Sequence, residues 1–254
     1  MSDLLCFMRD MKQKIISFVK YIMIFAAAFS LMVLLLFVPV HIPQDSIRMK
    51  MQETAGIICE NPDIYNQIDF LQSSRIDHYA DSIWLSIAYY MTDDNPCVRI
   101  ARADYYDKQD QYAKNDLRQT VYEDVSVNAE YIRYWHGPAG LLRFLHLFWN
   151  IRQICIFHAV LTIVFYLVLI ILLIRNKLRA EAVVFTIAMF VVSAWFVPFC
   201  LEYTYSFLCM LVAAVIGVLL SLKRKYTFLD IYFILVGMVT VYFDFLTTET
   251  LRKH

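Results

Sequence analysis

Residues 21–40, YIMIFAAAFSLMVLLLFVPV, run for 20 residues without a charge, long enough as a helix to cross about 30 Å of hydrocarbon. Arg9, Lys12, Lys14 and Lys20 precede them. Basic residues are retained on the cytoplasmic side of a bilayer, so this order predicts a membrane anchor whose amino terminus stays inside the cell. A cleaved secretory leader is the competing reading. Its apolar core is shorter and ends at a small-residue site, whereas here Phe37-Val38-Pro39-Val40-His41 follows. The segment reads as an uncleaved anchor.

The rest of the chain repeats the signal. Apolar stretches fall near Cys155–Ile174, Ala182–Cys200, Tyr205–Leu222 and Ile231–Leu246. The turn after the first of these carries Arg175, Lys177 and Arg179, and the turn before the last carries Lys223, Arg224 and Lys225. The turn between the middle two holds Glu202 and no Lys or Arg. Every short loop thus agrees with five spans and a cytoplasmic amino terminus. Composition points the same way: 254 residues, 60% hydrophobic, 18% charged, mean hydropathy +0.52, which excludes an ordinary soluble globule. Basic residues cluster only beside apolar stretches, which excludes a nucleic-acid footprint.

The fold class is therefore an all-α, multi-pass protein of the cell membrane. It divides into a cytoplasmic amino terminus (1–20), a first transmembrane helix (21–40), an extracytoplasmic loop with interfacial helices (41–153) and a four-helix transmembrane region (154–254). The ending Arg252-Lys253-His254 would fall on the outer face, an arrangement suited to a fragment whose natural continuation re-enters the membrane.

From His41 to Ile151 there are 16 Asp and Glu against 10 Lys and Arg, a balance of minus 6. Such acidity keeps a loop clear of anionic headgroups. Short helices are expected at Ser46–Ala55 and Asp77–Met91, the latter an amphipathic helix at the bilayer surface, and at Asn115–Trp135. Glycine is absent between Gly56 and Gly137, which removes any phosphate-cradling glycine loop. Cys59 and Cys97 are the two cysteines of the loop; one disulfide or two free thiols are both compatible with them.

The groups able to do chemistry lie at the two ends of the loop. Asp77 and Asp81 are one helical turn apart beside Tyr79 and Trp84. They could act as a general base or bind a divalent cation holding a phosphate, or be a helix cap and a solvated carboxylate. Asp93 and Asp94 fit ordinary turn chemistry. At the return to the membrane stands Tyr134-Trp135-His136-Gly137-Pro138, with Arg133 before it and Arg143 and His146 after it. Arg133 and His136 could contact a lipid phosphate or anchor the chain at the interface with Trp135. Arg143 and His146 are costly against lipid and should face protein or a cavity. Asp244, near the end of the last stretch, is a candidate by the same reasoning.

This layout resembles the GT-C superfamily of polyprenyl-phosphate-sugar-dependent glycosyltransferases, in which a first span leads into a long external loop with an early acidic residue and a His-Pro-Pro-like motif at its end. Asp77-x-x-x-Asp81 stands at the acidic position and Tyr134-Trp135-His136-Gly137-Pro138 at the re-entry position. The latter, with Leu141-Leu142-Arg143, also looks like uncharacterised multi-pass proteins of Gram-positive bacteria. The resemblance implies sugar transfer with inversion from a polyprenyl-phosphate donor to a cell-envelope glycan acceptor at the outer face. Asp81 would be the general base or a metal ligand, Asp77 its support, and Arg133, Trp135, His136, Arg143 and His146 the substrate contacts. The alternative is a non-catalytic assembly partner or sensor that presents the loop to another protein.

Overall fold

The computed structural model describes residues 2–91, 95–108, 112–132, 135–224 and 228–243. It is 75% helical. The predicted anchor forms α1 (Ser2–Val40), which extends it toward the amino terminus. Two further long apolar helices follow, α7 (Ile151–Arg175) and α9 (Leu201–Leu222). Among the described residues these are the three helices long and apolar enough to cross a membrane. Only 11%, 22% and 11% of their most apolar windows is buried within the protein. The outward Leu, Ile, Val and Phe side chains therefore need an apolar medium around them, which suggests insertion into a membrane.

The other two expected spans are shorter. α10 (Leu229–Phe243) has 15 residues and packs along α9 and α1; the Tyr21 hydroxyl donates to Asp230 across the α1–α10 contact at 3.0 Å. The stretch 182–200 is not one helix. α8 (Arg179–Val191) stops before Ser193, whose φ is 52°. The chain then makes a 3-10 turn over Val197–Phe199, where Pro198 has no N–H to continue an α-helical ladder.

Five helices lie between α1 and α7: α2 (Gln44–Cys59), α3 (His78–Tyr90), α4 (Pro96–Arg102), α5 (Ala113–Tyr122) and α6 (Gly137–Leu145). Two small antiparallel pairs join them. β1 (Ile64–Asn66) lies against β2 (Arg75–Asp77) with Ile64 opposite Asp77, and β3 (Asp104–Tyr105) against β4 (Ala129–Glu130) with Asp104 opposite Glu130. These strands were not expected. Neither was the early end of α5, read from the sequence as running to Trp135. Asp124 adopts a φ of 53° just past its end, a conformation that Asp tolerates better than most side chains.

The core of this segment is α3. Eleven of its 13 residues are buried, enclosed by α2, α5 and α6. A helix covered on all sides has no wet face, so the expected amphipathic surface helix is instead a central one. Ile83, Leu85 and Ile87 pack inward, and so do Trp84 and Tyr89. The thiols of Cys59 and Cys97 are free.

Candidate functional site

The acidic end of α3 is built from its cap outward. Pairing of β2 with β1 delivers Asp77 to the start of α3, where its carboxylate accepts from the amides of Tyr79 at 3.0 Å and Ala80 at 3.2 Å. Asp77 is thus an N-cap, satisfying two of the orphan donors of the first turn. Asp81, one turn further, is only 2% exposed. One of its oxygens lies 3.5 Å from His78 Nδ1, and the other accepts from the backbone N–H of Glu202 at 3.2 Å. His78 Nε2 lies in turn 3.4 Å from the Tyr65 hydroxyl. Burial pushes the Asp81 carboxyl above the usual range, with His78 pulling against it and the charge of Asp77 adding to it. The Glu202 amide belongs to the first turn of α9, whose exposed N–H groups favour an anion.

Glu202 was passed over in the sequence as a loop carboxylate. It is 3% exposed and lies near enough to Asp77 and Asp81 for the three charges to act on one another. Neither of its carboxylate oxygens makes a hydrogen bond of good geometry, although the Tyr203 hydroxyl stands near enough to act on it. Tyr203 itself is 44% exposed. The signal that could have found Glu202 is a lone carboxylate at the head of an apolar helix.

The re-entry motif forms a separate cluster. Arg133 and Tyr134 lie outside the described residues, as do Asp93, Asp94 and Asp244. Trp135 packs edge-on against Phe29 of α1 at 5.0 Å and against Tyr242 of α10 at 6.1 Å. His136 caps α6 in the left-handed conformation, with φ 56°, its carbonyl accepting from Ala139 N at 3.0 Å. Its ring is buried with Nε2 unpaired, and burial lowers its pKa to about 4, so the imidazole is neutral. Gly137 is required where it stands, since any Cβ would collide with the Tyr242 ring.

Arg143 and His146 have structural partners. Arg143 is fully buried. Nε donates to Pro39 O at 3.0 Å, one terminal nitrogen to Ala88 O at 2.6 Å and Tyr89 O at 2.8 Å, and the other to Ile42 O at 2.5 Å. One guanidinium thus fastens the end of α1 to the last turn of α3 and to α6. His146 lies between Leu142 O at 2.7 Å and the Thr54 hydroxyl at 3.1 Å, and burial lowers its pKa to about 4. Four carbonyls take the Arg143 donors, and both His146 nitrogens have partners within the chain.

Asp81 and His136 are not brought together. Between them runs a row of rings: Trp84 on Tyr205 at 5.9 Å, Tyr205 on Phe243 at 6.0 Å, Phe243 on Tyr242 at 4.9 Å, and Tyr242 on Trp135. Tyr205 also closes one end of an apolar groove of about 660 Å³ between α7, α9 and α10, lined along its length by Leu208, Val212, Ile216, Leu235 and Val239. The described residues hold no group of three or more His, Cys, Asp or Glu placed to ligate a metal ion. No protein family, curated protein or solved structure matches the chain.

Proposed function

We propose that the chain crosses the membrane five times from a cytoplasmic amino terminus, presents residues 41–153 outside, and acts as a GT-C-like glycosyltransferase. The donor is a polyprenyl-phosphate sugar and the acceptor a hydroxyl of a cell-envelope glycan. The observation that carries this reading is Asp81: a buried carboxyl, flanked by His78 and held by the first turn of α9, beside the ring that ends an apolar groove. Burial keeps its affinity for a proton high, which suits a general base.

In this reaction Asp81 takes the proton of the acceptor hydroxyl as its oxygen attacks the anomeric carbon. The bond from that carbon to the phosphate oxygen breaks, and the polyprenyl phosphate leaves with the electron pair. His78 holds Asp81 in place, and Asp77 keeps the helix start fixed. Asp81→Asn preserves shape and removes the base, so transfer from a radiolabelled polyprenyl-phosphate sugar in proteoliposomes should drop about a thousandfold with folding intact. Transfer at the wild-type rate by that variant would remove Asp81 from the mechanism.

The second reading, a non-catalytic partner-binding component, has its own observation. Phe70, at the tip of the β1–β2 hairpin, is 89% exposed and suits a protein contact. An inactive wild-type chain that co-purifies with one membrane partner, and loses it on Phe70→Ser, would favour that reading.

A further inference from the structure

On α7, His158, Leu161, Thr162 and Phe165 follow the i, i+3, i+4, i+7 spacing that places them on one helix face. Leu161 and Phe165 line the apolar groove. His158 and Thr162 are buried, 1% and 6% exposed, and His158 Nδ1 and the Thr162 hydroxyl make no hydrogen bond. Across from them on α9, Tyr205 is 4% exposed with its hydroxyl unpaired as well. Its ring meets the His158 ring edge-on at 5.1 Å and forms the end of the groove. Three unpaired polar atoms on two packed, apolar helices are costly unless a polar group meets them.

Chemistry changes in a fixed order along this line: hydrocarbon lining, then three neutral donors, then the carboxylates of Asp81 and Glu202. We infer that His158, Thr162 and Tyr205 form the binding position for the phosphate of a prenyl lipid whose chain occupies the groove between α7, α9 and α10. The order of groups in such a lipid is the same, with an apolar chain, a phosphate rich in acceptor oxygens, and a hydroxylated sugar that reaches the carboxylates. Each of the three side chains can donate to a phosphate oxygen. The inference rests on the glycosyltransferase reading for the identity of the lipid, but its binding position can be tested alone.

The test uses the full chain in detergent micelles and a fluorescent polyprenyl phosphate, displaced by unlabelled polyprenyl phosphate, by the matching polyprenol or by inorganic phosphate. Polyprenyl phosphate should displace the probe at least about tenfold better than polyprenol, and inorganic phosphate should not compete. Tyr205→Phe and Thr162→Val each keep shape and remove one donor. Each should weaken polyprenyl phosphate about fivefold, the effect of one hydrogen bond, and leave polyprenol unchanged. Unchanged affinity in both variants, an equal loss for phosphate and alcohol, or displacement by inorganic phosphate alone would overturn the position. A chain that binds the lipid through these residues but transfers no sugar sinks only the glycosyltransferase reading. One that transfers sugar, with lipid affinity indifferent to the variants, sinks only this inference.

Discussion

Arg143 and Glu202 are both buried and both ionisable, yet their surroundings differ in kind. Arg143 reaches four carbonyls on two segments of chain, whereas both oxygens of Glu202 lack a hydrogen bond of good geometry. A buried charge that is well bonded is a fastening, and its removal leaves carbonyls unpaired. A buried polar group without bonds destabilises the fold that contains it. The contrast extends to the neighbours. His146, beside the arginine, has a partner at each nitrogen; His158, beside the groove, has Nδ1 open. Burial alone therefore does not separate these residues, and unmet bonding does.

The strongest way to break the comparison is Arg143→Ala. Loss of several charged hydrogen bonds at a fully buried position should lower stability by about 4 kcal/mol, read as the midpoint of thermal unfolding in detergent. A change below about 1 kcal/mol would show that water replaces the guanidinium. Next in size is the response to acid. His136 and His146 have their pKa values lowered by burial from 6.5 to about 4, so the unfolded chain binds their protons first as pH falls. Stability should be level above pH 6.5 and decline between 6.5 and about 4, by up to about 3 kcal/mol for each ring. His146→Gln should flatten part of that decline, and a profile identical to wild type would mean that His146 is protonated without unfolding. On the other side of the comparison, Glu202→Leu removes two buried polar atoms without hydrogen bonds at similar volume and should raise stability by about 1–2 kcal/mol; a clear loss would reveal a partner for the carboxyl. The smallest effect belongs to Asp77→Ala, which deletes an N-cap and should cost about 1 kcal/mol, read as the midpoint of thermal unfolding.

The elements governed by local rules were legible in the sequence. The uncharged run ending at Val40 gives the end of α1, Asp77 caps α3 where its residue type suggests, and Gly137-Pro138 opens α6. What could not be read depends on distant partners. The end of α5 is set by Asp124 and by the pairing of β4 with β3, a contact across more than twenty residues. The break after α8 follows from a left-handed serine that apolar periodicity does not register. At the candidate site, the Asp77–Asp81 spacing was visible because both lie on one helix. His78, three residues before Asp81 on the same helix, was open to the same reasoning, whereas Glu202 became relevant only when α9 brought its first turn to Asp81, 121 positions away. Arg143 was legible as a residue that must face protein, but not as a ligand of carbonyls, because carbonyls leave no trace in a sequence.

The Arg143 fastening also sets an order of events during synthesis. Its acceptors include Pro39 O, 104 positions earlier in the chain, so the end of α1 waits unfastened while the ribosome makes everything up to α6. Nascent chains emerge at roughly 5–20 residues per second, so the wait lasts several seconds at least. During that time the end of α1 is without this link, and the segment that follows it cannot lock until its final helix arrives.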